Sequence, residues 1–213
     1  EWIQETYSKY EIDNLIIVGG ESSKQKYPGP TVNESLEKIS QDNRRRENSI
    51  LCGGICIPSR RKESKNLIRK SECGAEFFTT QVLCDSGNVI KMIKNYQERC
   101  DKVNTFPRRI LLSFAPVSSQ KNIDFLKWLG VEIPKDTEKY LNGRPGSMTE
   151  RSLDVAIEVL NEILAFIANN NLKVPVGLNV EHIMSYNFQS SVEMLQELAN
   201  LYRKFCINTS QYN

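Results

Sequence analysis

The sequence is short of histidine, of long apolar runs and of any excess of one charge. His182 is the only histidine, so a metal site built from paired histidines is excluded and at most one histidine is available as a general base. The apolar run at 110–114 is far too short to span a bilayer. The net charge is +2, a balance that requires neither nucleic acid nor a membrane surface as a partner.

The six cysteines are scattered and lie mostly in apolar segments. We expect them to be reduced and buried, where they act as small hydrophobic residues. Cys52 and Cys56 have no second pair at zinc-ribbon spacing, so no metal site is predicted. A single disulfide remains the alternative.

Five apolar, β-rich segments alternate with amphipathic segments of helical periodicity. The predicted strands are 14–18, 49–57, 75–82, 109–114 and 174–178, and the predicted helices are 32–41, 62–73, 87–101, 122–129, 149–170 and 191–205. Such alternation predicts a parallel sheet with helical crossovers, either an open doubly wound sheet or part of a barrel. In both architectures the functional groups follow the carboxyl ends of the strands.

Two of these strand ends have residues suited to ligand binding. Gly19-Gly20-Glu21 combines a tight turn with a carboxylate, although it is not a GxGxxG fingerprint and a plain βα turn is the alternative. Arg60, Arg61 and Lys62 open a helix, where cations oppose the helix dipole unless an anion is bound. This arrangement favours a phosphate or pyrophosphate, with a solvated basic turn as the alternative.

A longer segment resembles a known family. The sequence LIRKSECGAEFFTTQ at 67–81 resembles the stretch of the methylenetetrahydrofolate reductases that joins a helix to the sixth barrel strand. Weaker matches follow in the same order at 17–21, 115–119, 129–134 and 177–179, so the resemblance runs from about residue 14 to about residue 185.

The resemblance implies a fold and a reaction. The fold is α/β, a (β/α)8 TIM barrel of which strands 4 to 8 are present, so that residues 1–213 form a single barrel domain without its first three strand–helix units. Because such an arc has two open edges, we expect that the chain is incomplete as given or that a second chain or segment supplies the rest, with a homo-oligomer as a further alternative. The implied activity is that of a cytoplasmic, FAD-dependent enzyme of one-carbon metabolism and methionine biosynthesis. It reduces 5,10-methylenetetrahydrofolate to 5-methyltetrahydrofolate with NAD(P)H as the hydride source.

The resemblance also assigns roles to residues. Glu21 is the expected catalytic carboxylate, and Gln81 and Asn122 are expected to contact the folate substrate. The expected FAD-binding residues are Gly19, Gly20, Glu63, Asn66, Arg69 and Lys70, to which we add Arg60 and Arg61 for anion binding. No metal is expected.

Two positions depart from the family pattern. Gly19 and Val180 stand where the family has arginines. They favour the alternative of a divergent or non-catalytic barrel paralogue that binds folate or flavin or serves as a partner subunit.

Overall fold

The strands of this protein lie in the sheet in the same order as in the chain. The computed structural model describes residues 2–19, 28–44 and 49–210. Five parallel strands pair in the order β1-β2-β3-β4-β5, with bounds Asn14–Ile17, Leu51–Cys56, Phe77–Val82, Arg109–Phe114 and Val176–Val180. A doubly wound sheet reverses its strand order at a switch point, whereas a barrel does not. The sheet is therefore a barrel-type arc, and the five predicted strands are confirmed.

Helices connect the strands and cover one face of the sheet. They are α1 (Trp2–Tyr10), α2 (Val32–Asn43), α3 (Glu63–Glu72), α4 (Gly87–Lys102), α5 (Gln120–Trp128), α6 (Lys135–Leu141), α7 (Met148–Asn169) and α8 (Phe188–Ser210). Helix α7 begins with a capping box, in which Ser147 and Glu150 satisfy each other's backbone N–H groups. The sequence predicted all of these helices except α1 and α6, and the family resemblance implied α6.

The two faces of the sheet differ in what they contact. Side chains such as Phe78 and Ile110 are fully buried against the helices. On the opposite face, which we call the inner face, the Phe77 ring lies over Gly53, where an added Cβ would come within 2.5 Å of the ring. Leu111 covers Gly177 in the same way, at 2.8 Å. Large side chains thus fill the inner face opposite glycines, as close packing of a barrel interior requires.

The cysteines are free, and five of the six are buried. Burial raises the pKa of the Cys84 thiol to about 12, with a smaller contribution from the Asp85 carboxylate. Such thiols are unreactive at neutral pH. The expectation of buried cysteines is confirmed for all but Cys206, which is half-buried near the end of α8.

Candidate functional site

The inner face becomes polar towards the carboxyl ends of β3, β4 and β5. The hydroxyl oxygens of Thr79 and Ser113 are 2.9 Å apart. The Asn179 amide donates to the Ser113 hydroxyl at 3.0 Å and lies 3.4 Å from the Thr79 hydroxyl. Thr79 and Ser113 are buried, whereas Asn179 is half-buried. The parallel register therefore joins three strands through one row of hydrogen-bonding groups.

Glu181 extends this row beyond the end of β5. Its backbone N–H donates to the Phe114 carbonyl at 2.7 Å, and its carboxylate lies 3.4 Å from the Asn179 amide nitrogen. Burial raises the pKa of the Glu181 carboxyl, and a hydrogen bond with Ser113 partly opposes that shift. Among the described residues Glu181 makes no ion pair. We call Thr79, Ser113, Asn179 and Glu181 the inner polar row.

A second polar cluster fixes the connection between β2 and α3. The Glu63 carboxylate accepts from the Ile57 N–H at 3.1 Å and from the Asn66 amide at 2.9 Å. It also pairs with Arg60 and Lys70, each at 3.7 Å. Only 1% of the Glu63 side chain is exposed. Both carboxylate oxygens are therefore engaged by protein groups, which gives Glu63 a positioning role.

Lys70 completes the same cluster. Its ammonium donates to the Ile55 carbonyl in β2 and pairs with Glu63, and 13% of its side chain is exposed. Burial lowers the pKa of Lys70, and the Glu63 carboxylate partly opposes that shift. Arg69, in contrast, is exposed on α3. Of the two adjacent cations assigned to FAD, only Arg69 is open to a ligand.

Arg60 and Arg61 line a cleft of about 330 Å³ on the outer layer of the fold. This cleft lies between the β2–α3 loop and α4, and it also includes Lys91 and Arg99. The inner polar row lies across the sheet from these helices. The structure therefore does not bring the two arginines together with that row.

Gln81 is half-buried at the end of β3, next to an irregularity in the β3–β4 register. Its amide nitrogen donates to the Leu129 carbonyl at 3.0 Å. It lines a small pocket together with Pro58 and Glu132. Gln81 thus remains accessible, on a surface formed by the loop that follows α5.

Asn122 differs from Gln81 in being completely buried. Its carbonyl oxygen accepts from the Ser118 N–H at 2.9 Å and lies 3.3 Å from the Asn187 amide. Its own amide donates to the Tyr186 hydroxyl at 2.9 Å. Asn122 thus links the β4–α5 loop to the turn before α8. Because its side chain is fully buried, it is not accessible to a substrate.

The turn after β1 is only partly described. At Gly19 an added Cβ would come 3.2 Å from the Val32 side chain, so a larger residue would press on α2. Gly20 and Glu21, the predicted flavin contact and the predicted catalytic carboxylate, lie outside the described residues. Their roles stay predictions.

The inner polar row was not predicted as a site. Its members belong to three segments far apart in sequence, and only the strand register brings them together. The sequence signal that could have found it is the pair of polar residues Asn179 and Glu181 after an apolar segment. Residues two positions apart in a strand face the same side of the sheet.

In the ranges given above, no three His, Cys, Asp or Glu side chains are placed to hold a metal ion. None of the helices there has a stretch long and apolar enough to cross a membrane.

Comparisons with known proteins identify what the chain resembles. A model of the methylenetetrahydrofolate reductase family matches residues 56–200. An uncharacterized protein from Clostridium thermocellum, which binds two copies of 5-methyl-5,6,7,8-tetrahydrofolic acid, has a similar structure. The TM-score is 0.70 at 21% identity, over 87% of this chain and 63% of that one. This likeness confirms the fold.

A curated relative matches a smaller part of the chain. The transaldolase of Prochlorococcus marinus (strain MIT 9301) is 30% identical over 131 residues, which is 60% of this chain and 35% of that protein. The chain thus spans about a third of this curated relative, and the match is too partial to define an activity.

Proposed function

Because the chain belongs to the methylenetetrahydrofolate reductase family, we propose that it forms the folate-facing part of a flavin-dependent reductase. The reaction is the reduction of 5,10-methylenetetrahydrofolate to 5-methyltetrahydrofolate, with NAD(P)H as the hydride source. The observation that carries this proposal is the inner polar row at the carboxyl end of the sheet, where barrel enzymes place their active sites.

The inner polar row suits the pterin ring of a folate. One edge of that ring presents neighbouring N–H groups, which a carboxylate accepts through its two oxygens. Glu181 offers such a carboxylate, and no cation among the described residues competes for it. Asn179 adds an amide that the Ser113 hydroxyl holds in a fixed orientation. In this proposal the row binds and orients the ring through Glu181 and Asn179.

The residues of α3 fit FAD in part. Arg69 is exposed and available to phosphate or hydroxyl oxygens of the cofactor, whereas the half-buried Asn66 already donates one N–H to Glu63. Glu63 and Lys70 instead hold the end of β2 in place. When bound, FAD supplies the hydride transfer, while the chain supplies binding and orientation.

A second candidate is a folate-binding barrel without reductase activity. The structurally similar Clostridium thermocellum protein binds 5-methyl-5,6,7,8-tetrahydrofolic acid. In this chain Lys70 is engaged by Glu63 and Ile55, and Gly19 and Val180 stand where the family pattern has arginines. The engagement of Lys70 and the change at Gly19 weaken the flavin site. Val180 stands where the family has a substrate-binding arginine, so it bears on folate binding instead.

Ligand titrations distinguish the candidates. For the reductase, the protein binds FAD and 5-methyltetrahydrofolate, and the bound flavin is reduced by NAD(P)H and reoxidised by methylenetetrahydrofolate. For the second candidate, folate binds but FAD does not. Glu181→Ala should weaken folate binding, whereas Glu197→Ala, an exposed carboxylate on α8, should not. Absence of folate binding to the unmodified protein would reject both candidates.

A further inference from the structure

The outer cleft between the β2–α3 loop and α4 concentrates positive charge. Five cations line it: Arg60, Arg61, Lys62, Lys91 and Arg99. The acidic side chain in its lining is Glu63, whose carboxylate pairs with Arg60 and Lys70 and accepts from Asn66 and a backbone N–H. The other four cations of the lining make no ion pair with any described residue. The positive charge of the cleft is therefore largely uncompensated.

The wall formed by α4 is mostly polar, with Met92 as its one apolar residue. Asn88, Lys91, Asn95 and Arg99 recur at intervals of three and four residues, so they lie on one face of the helix. Lys91, Asn95 and Arg99 are exposed and Asn88 is half-buried, so their side chains are accessible from the cleft. This face presents two amides and two cations to the cleft.

The opposite wall is held rigidly in relation to α4. The Arg99 guanidinium donates to the Ser64 hydroxyl at 3.0 Å, which links α4 to the first turn of α3. Elsewhere in the cleft, Arg61, Lys62 and Lys91 make no ion pair with any described residue. Cations gathered in a concave site repel one another, and a bound anion relieves that repulsion.

The size of the cleft fits a small ligand. Its volume of about 330 Å³ is at the lower end of the range for ligand pockets, about 300–1,000 Å³. We propose that this outer cleft binds a phosphate-bearing anion of the pyrophosphate type, at a site separate from the inner polar row. Lys62 and Arg61 approach the anion from the loop, and Lys91 and Arg99 approach it from α4.

The probe for this site is inorganic pyrophosphate, titrated calorimetrically into the full chain at low ionic strength. We expect saturable binding that weakens as salt is added, because the contacts are ionic. Lys91→Glu should weaken binding by about tenfold or more, since it places a carboxylate against the anion. The matched control is Lys94→Glu, which makes the same charge change on α4 outside the cleft lining and should weaken binding by less than about threefold.

Further titrations separate the sources of the anion and the two sites. ADP binding more tightly than pyrophosphate, with the same dependence on Lys91, indicates a nucleotide, and the reverse order indicates a free phosphate compound. The proposal is overturned if pyrophosphate does not bind, if the Lys91 and Lys94 variants weaken binding equally, or if saturating FAD or folate displaces pyrophosphate. None of these readouts depends on reductase activity, so the proposed function stands or fails independently.

Discussion

Glu63 and Glu181 both lie close behind the end of a strand, yet their surroundings are opposite. Glu63 is 1% exposed, and two N–H donors and two cations satisfy it. Glu181 is half-buried, and its carboxylate neighbours are the Asn179 amide and Ser113. Asn122 and Asn179 repeat the contrast, since the first is fully buried and the second is half-buried. Polar groups that the protein itself satisfies hold the fold, and those left partly open are the ones a ligand can reach.

The largest effect is expected for Glu63→Ala. It leaves the Lys70 ammonium, 13% exposed, without its counter-charge, and breaking such a buried pair costs about 3–5 kcal/mol of unfolding free energy. Urea denaturation measures this loss. Glu72→Ala, an exposed carboxylate on the same helix, should change stability by no more than about 0.5 kcal/mol. Equal effects of the two substitutions would contradict a stabilising role for the Glu63 cluster.

Asn122→Ala should destabilise the protein by about 2 kcal/mol, because it removes the acceptor of the Ser118 N–H and one acceptor of the buried Asn187 amide, which keeps the Pro116 carbonyl. Thermal or urea unfolding is the measurement. The control is Asn200→Ala on the exposed surface of α8, for which we expect almost no change. A small effect at position 122 would mean that water replaces the lost amide, and the loop would then be less tightly held than the contacts indicate.

Asn179→Ala should weaken folate binding more than it lowers stability, the opposite of Asn122→Ala. It removes one hydrogen bond to Ser113, which costs about 1 kcal/mol of stability. If the inner polar row binds the pterin ring, the affinity for 5-methyltetrahydrofolate should fall by about tenfold, the equivalent of 1.4 kcal/mol. Folate titrations of the Asn179 and Asn122 variants, at a temperature where both are folded, compare the two amides directly. Unchanged affinity at position 179 would exclude the row from the binding site.

Glu181→Gln should have the smallest effect, and it depends on pH. The folded state raises the Glu181 pKa, so this carboxyl contributes stability that is fully present below its ordinary pKa of 4.5 and is lost as the pH rises through the folded value. Glutamine carries no charge at any pH. The stability of the variant relative to the unmodified protein should therefore increase with pH over this window in urea titrations. A relative stability that is flat or falls with pH would contradict the burial of the Glu181 charge.

The strands were the most predictable part of the molecule. Segments such as 109–114 are nearly continuously apolar because one face packs on helices and most of the other fills the inner face. Their ends moved by a few residues; the fifth strand runs from Val176 to Val180, where it carries Asn179 into the polar row. Helix α1 was missed because Ile3 is the only aliphatic residue in 2–10, and the other residues are aromatic, polar or charged.

The site was predicted less well, for a physical reason. The roles of positions 63, 70 and 122 were assigned from the family pattern, but a residue type does not reveal how much of the side chain is buried. Glu63 and Asn122 are as polar as Glu181 and Asn179, and only packing separates the two pairs. The inner polar row further depends on the register of β3, β4 and β5, which hydrophobic periodicity does not specify between distant segments.

The pairing of Phe77 with Gly53, and of Leu111 with Gly177, sets a depth limit inside the sheet. Phe77 and Leu111 occupy the space that a side chain at Gly53 or Gly177 would fill. They lie nearer the amino end of the sheet than Asn179. A planar ring bound as proposed would meet Phe77 and Leu111 as it enters from the carboxyl end of the sheet. Exchanging the large residue and the glycine within either pair would move the large side chain to the neighbouring strand. The cavity would not become deeper.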